Sequence, residues 1–295
     1  MSESIASYLD RLKALLAKSD PAVLHDALAD AEEHLYAALD QAIEEQPGLS
    51  EDAALQLIMN EYGRPEEVAA AYRDFEQRFD PASVITRPSA KRSLFPGFTK
   101  ILGDTRAYAA MIYLLSSGIT GIFYGLWFLV GIGLSLYTCI LIIGPFVFNL
   151  FLRSTQAFAL LEGRIVEALL GVRMPRRQAT CRETTGWWQG FKTRLTSKRT
   201  WTVLSYMALQ LPLGCLYLYV FLGLTALAVE MMAQPVFYLF EWPYMVINGA
   251  LYMAPAWSIL PAVLVGFLVL VLTLHLAGFV ARLHGAMAKA MLVGE

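Results

Sequence analysis

From Ala107 to Leu152 the chain runs 46 residues without one Asp, Glu, Lys or Arg. An α-helix rises 1.5 Å per residue, so roughly 20 residues cross a hydrocarbon layer of about 30 Å. The run is too long for one span and predicts two, divided by a turn near Gly131 to Ser135. Thr200 to Val229 supplies a third. The charge-free run from Trp242 to Ala281, broken by Pro243, Pro255 and Pro261, supplies a fourth in its later part. Lipid satisfies no backbone N–H or C=O, so an apolar chain of this kind crosses as helices. The expected fold is all-α: a small cytoplasmic helical bundle plus a polytopic transmembrane domain of four helices, with spans at about 108–131, 135–153, 202–229 and 258–281.

Charge divides the chain. Residues 1–80 hold 18 acids against 6 bases, whereas residues 81–295 hold 7 acids against 17 bases. The linker 81–106 has five bases to one acid, and the segment 153–199 has ten bases to three acids. Residues 131–135 and 230–256 contain no Lys or Arg at all. The positive-inside rule therefore predicts a multi-pass inner-membrane protein with both termini and the loop 153–199 cytoplasmic. The opening MSESIASYLDRLK lacks the basic and then apolar layout of a cleaved signal peptide, which agrees with a cytoplasmic N-terminal region.

The acidic part reads as a bundle. Ile5, Leu9, Leu12 and Leu16 share one helical face, and Asp20-Pro21 supplies a cap and a first helical residue. Leu24, Leu28, Ala31, Leu35, Leu39 and Ala42 continue the three-and-four spacing until Pro47-Gly48. Ser50 opens a third helix that Gly63 stops. Pro65 opens a fourth, with Val68, Tyr72, Phe75 and Phe79 in line. The order YLDRLKALL, AEEHLYAALDQA and LSEDAALQLIMNEYGRPEEVAAAY resembles the HAAS domain, an acidic helical module in front of bacterial membrane proteins of regulatory type. That resemblance implies a cytoplasmic protein partner, with a PadR-like regulator as its expected kind. Arg64 stands where a Ser or Asp cap is usual.

The membrane part repeats itself. GFTKILGDTRAYAAMIYLLSSGITG from Gly97 and GFKTRLTSKRTWTVLSYMALQLPLG from Gly190 match at Gly, Phe, Leu, Arg, Tyr and Gly, 93 residues apart. At the exits, LEGRIVEALL from Leu161 matches LHGAMAKAML from Leu283 at an offset of 122. The expectation is two hairpins duplicated in the same orientation, the second with about 29 extra residues outside the membrane. These entrances, Gly144-Pro145, the exit that ends in Gly171-Val172-Arg173-Met174-Pro175 and the enlarged external loop make residues 97–292 similar to the four-span sensor domain of bacteria.

Candidate working residues follow from position. The external segment is rich in aromatics and nearly uncharged. Its candidate ligand or interface residues are Glu230, Phe237, Tyr238, Phe240, Glu241, Trp242, Tyr244, Tyr252 and Trp257. Trp and Tyr favour the headgroup level, so a lid lying in the interface is favoured over a receptor surface for an apolar or lipid ligand. His275, inside the fourth span, is the candidate switch, although a structural role near the cytoplasmic end outweighs it. Arg106, Arg173, Arg176, Arg177, Arg182 and Arg199 are candidates for docking the acidic bundle or lipid headgroups. A basic loop between two membrane anchors is explained by lipid and topology before nucleic acid, so no direct nucleic-acid partner is expected. His25 and His34 are nine apart and are read as surface residues, not metal ligands. Cys139, Cys181 and Cys215 have no metal spacing and make no disulfide framework. No catalytic residue and no cofactor or metal is expected, and the bilayer and a homo-oligomeric copy are the remaining expected partners. The reading is a sensory or regulatory protein and not an enzyme, with a transport component or a ligand-free adaptor as alternatives.

Overall fold

The computed structural model describes residues 4–45, 50–78, 100–140, 143–175, 187–242, 245–247, 250–252 and 255–293. The described chain is helical apart from one short hairpin. Helices α1 (Ile5–Leu16), α2 (Pro21–Glu45), α3 (Glu51–Tyr62) and α4 (Pro65–Arg78) come first. A 3-10 turn, Lys100–Gly103, precedes α5 (Thr105–Cys139), α6 (Gly144–Leu170), α7 (Trp187–Thr196) and α8 (Lys198–Met232). A short α9 (Gln234–Leu239), the antiparallel strands β1 (Met245–Ile247) and β2 (Ala250–Tyr252), and α10 (Ala256–Leu292) complete the order. Two compact units emerge, one of residues 1–88, 131–204 and 288–295 and one of residues 89–130 and 205–287.

In the first unit, α1 to α4 bury the faces that the periodicity predicts. Tyr8, Leu12, Leu16, Ala27, Ala31, Leu35, Ala54, Ile58 and Ala69 form one core. Each fully buried Leu contributes on the order of 2 kcal/mol. The caps are specific. Ser4 Oγ accepts from the Ser7 N–H at 3.2 Å, and Asp20 Oδ1 accepts from the Ala22 N–H at 2.9 Å. Gly63 ends α3 at φ 102°, where a side chain would be strained, and its carbonyl accepts from the Tyr8 hydroxyl at 2.9 Å. Phe75 is not in the core but 43% exposed, and Phe79 lies outside the described residues.

The same unit holds the end of α5, with α6, α7, the start of α8 and the end of α10. The turn expected at Gly131 to Ser135 is absent, because α5 continues to Cys139. Glycine loses no backbone donor in a helix, and Ser135 and Thr138 return their hydroxyls to the carbonyls of Gly131 and Leu134 at 2.6 and 2.8 Å. The break comes instead before Gly144-Pro145, with Pro145 in the first turn of α6. Gly171, at φ 66°, closes α6 in the left-handed conformation. Between these ends α6 buries Glu162 completely.

Among the described residues, three helices are long and apolar enough to cross a membrane: α5, α8 and α10, of 35, 35 and 37 residues. The predicted second span, 135–153, does not form one helix, since α5 takes its first residues and α6 its last.

The second unit shows what the repeated entrances do. Positions 93 apart meet each other. Gln210 donates to the Ser117 hydroxyl at 2.9 Å, and Gly121 lies against Gly214. As the number rises along α5 its partner on α8 falls: Met111 with Thr225, Gly118 with Leu218, Gly125 with Leu211. The repeats therefore cross antiparallel, whereas two hairpins in the same orientation would set these helices parallel. A same-sense duplication is corrected to a crossing in which equivalent residues face each other. Helices α8 and α10 are also antiparallel, with Tyr206 at His284 and Ala228 at Gly266.

Candidate functional site

Two polar centres stand out, one in each unit. In the first unit, α2 begins at Asp20, whose carboxylate does two things. Its Oδ1 caps the helix, and its Oδ2 accepts from Lys289 Nζ, near the end of α10, at 2.5 Å. Both side chains are about three-quarters buried, a setting in which an ion pair is screened less than at an open surface. Five residues along α2, His25 Nε2 meets the guanidinium of Arg199 at the start of α8. A guanidinium offers donors only, so this contact needs the lone pair of a neutral imidazole. Burial first, and then the Arg199 charge, hold the His25 pKa down to about 4. His25 Nδ1 is buried with no hydrogen-bond partner among the described residues.

In the second unit, His284 of α10 is 2% exposed and held on both ring nitrogens. The Tyr206 hydroxyl lies 3.2 Å from Nε2 and the Tyr217 hydroxyl 3.3 Å from Nδ1. A neutral imidazole has one donor and one acceptor nitrogen, so one tyrosine donates to it and the other accepts. The Tyr113 ring packs at 5.3 Å. Tyr113 and Tyr206 are equivalent positions of the two entrances, so both copies converge on one histidine.

The predicted residues take varied places. His275 Nδ1 lies 2.9 Å from the Val271 carbonyl, one turn back on its own helix. Arg199 meets His25, and the Arg106 N–H bonds the Asp104 carboxylate at 3.0 Å beside the start of α5. Arg173 is half-buried, while Arg176, Arg177 and Arg182 lie outside the described residues. In the external segment, Phe237 packs edge-on against Trp242 at 6.3 Å, and Phe240, Trp242 and Trp257 are at least 66% exposed. Tyr238, Glu230 and Glu241 are exposed. Glu241 is the one non-glycine residue with positive φ, 47°, among the described residues. The Tyr244 position and the Tyr252 side chain lie outside the description. The short hairpin β1–β2, within this segment, is not foreseen by an all-α reading. His34 stacks on Tyr62 at 4.9 Å, and no set of three metal-ligating side chains occurs among the described residues.

Three important residues were missed: Asp20 as an ion-pair partner, Lys289 and His284. A usable signal existed for His284. In the matched exits it occupies the place of Glu162, and both copies bury this ionisable side chain, at 2% and 0% exposure.

No curated protein and no solved structure matches the chain. A protein family does. The family described as Putative sensor matches residues 67–292, beginning within α4 and ending with α10. With three membrane-capable helices inside that match, the chain belongs to this sensor-domain family.

Proposed function

We propose that the protein is a bacterial inner-membrane sensory or regulatory protein that couples a membrane or extracytoplasmic signal to a cytoplasmic partner through its acidic bundle. The observation that carries this reading is the attachment of α2 to the ends of two membrane-capable helices, through Asp20 to Lys289 and His25 to Arg199. A shift of α8 or α10 would then change how firmly the bundle is held. In this reading the bundle, Arg199, Lys289 and the C-terminus are cytoplasmic. We assign the segment between α8 and α10, the flank without Lys or Arg, to the extracytoplasmic side. Its exposed Phe240, Trp242 and Trp257 suit the headgroup level, where they would meet a lipid or apolar signal. The HAAS resemblance of residues 1–80 supports a protein partner for the bundle.

A photo-crosslinking residue at Leu57, an exposed apolar position of α3, tests the coupling in living cells. The expected result is an adduct with a cytoplasmic protein whose yield changes in Lys289→Glu and returns in Asp20→Lys/Lys289→Glu. Absence of any adduct, together with solute or lipid flux in vesicles of the purified chain, would establish the transport alternative instead.

A further inference from the structure

We infer that the contact of His25 with Arg199 is a protonation-released catch, in which neutral imidazole holds the acidic bundle on the start of α8 and imidazolium lets it go. The inference rests on the coupling proposed above and names a signal that would act on it.

The geometry carries the argument. Arg199 stays charged at any physiological pH and presents only N–H groups, so His25 Nε2 can hold it only as an acceptor. A proton on Nε2 removes that lone pair and sets two cations against each other in a half-buried site. The charged groups on the elements that meet here are Arg199, with Lys198 beside it in sequence at the start of α8, Lys289 of α10 paired with Asp20, and Asp26 next to His25 in α2. Asp20 is already engaged by Lys289 and by the Ala22 N–H. The buried Nδ1, without a hydrogen-bond partner among the described residues, offers no route for sharing the added charge.

The sign is fixed by linkage. Docking lowers the affinity of His25 for a proton, from the ordinary 6.5 to about 4. Docking is therefore complete above 6.5 and weakens as pH falls from there toward 4. At pH 5.5 the docking equilibrium constant should be about tenfold lower than at pH 7.5.

The full chain in lipid nanodiscs tests this with spin labels at Lys18→Cys and Thr196→Cys, both exposed, in a background where the native cysteines are serine. The label-to-label distance reports the docked fraction. The expected result is one docked distance at pH 7.5 and a docking constant about tenfold lower at pH 5.5. In His25→Gln, which is neutral at both values, the pH effect should vanish. A docked population that ignores pH, or a His25→Gln chain that keeps the full pH effect, overturns the catch and leaves the coupling standing. No docked distance at either pH overturns both.

Discussion

The crossing of α5 and α8 is tight enough that one methyl group should open it. A Cβ added at Gly121 would lie 2.3 Å from the Gln210 carbonyl oxygen, and one at Gly214 would lie 2.2 Å from the Ser117 carbonyl oxygen. Ordinary carbon-to-oxygen contact begins near 3.4 Å. The helices must therefore part by about 1 Å, against backbone that cannot rotate away. Overpacking of this kind costs about 1–3 kcal/mol. The Ser117 to Gln210 hydrogen bond, 2.9 Å long, would stretch and surrender roughly another 0.6–1.7 kcal/mol. Alanine returns up to about 1 kcal/mol of helix propensity, leaving a net loss of roughly 1–3 kcal/mol. Gly133 and Gly223 are internal controls, because an added Cβ there meets nothing within 4 Å. Gly133→Ala and Gly223→Ala should be neutral or stabilising by about 0.5–1 kcal/mol. Unfolding in mixed micelles with increasing denaturing detergent, followed by tryptophan fluorescence, measures all four. Equal stability of Gly121→Ala, Gly214→Ala and the two controls would refute the crossing.

Direction is tested separately: Gly118→Cys with Leu218→Cys should form a disulfide on oxidation, because an added Cβ at Gly118 meets the Leu218 Cβ and a parting of about 1 Å brings the pair to the roughly 3.8 Å of a disulfide, while Gly118→Cys with Leu211→Cys should not. Oxidation of the second pair alone would restore parallel, same-sense repeats. His284→Leu leaves the Tyr206 and Tyr217 hydroxyls short of a buried partner and should lose about 1–3 kcal/mol in the same assay. His275→Leu should lose less, since the ring bonds the Val271 carbonyl one turn back on its own helix; the reverse order would return the switch to His275. Fluorescence of a chain retaining only Trp242 and Trp257 should be quenched most by lipids brominated near the headgroup, and quenching only by deep bromines would remove the interfacial placement.

Much of the bundle was legible in the sequence because its signals are local. The spacing of Leu12, Leu16 and Leu35, the Asp20-Pro21 cap and the Gly63 stop each act within a turn or two of helix, and each recurs in the structure. The membrane part was legible in its apolar length but not in its breaks. Gly131 to Ser135 looked like a turn because a 46-residue run had to be divided somewhere. Composition cannot tell a glycine that ends a helix from one that admits a neighbour, and Gly131 admits the Phe151 ring. The break fell where a proline removed a donor, at Gly144-Pro145. Lys289 and Asp20 are 269 positions apart, a separation over which no periodicity carries information.

The repeated entrance shows why a pattern can be read correctly and its geometry still be missed. Apolar side chains gain little by leaving lipid for another helix, so association in a membrane depends on close backbone approach and a few polar contacts. Gly121 against Gly214 supplies the first, and Ser117 with Gln210 supplies the second. The repeat thus records which residues are shared, and a crossing with approximate twofold symmetry can use shared residues in either sense. What the sequence comparison leaves out is the third helix. Tyr113 and Tyr206 belong to the two copies, yet the histidine they enclose comes from α10, outside the 93-residue repeat. His284 therefore ties the symmetric pair to a third helix, α10, which no comparison of the two entrances alone supplies.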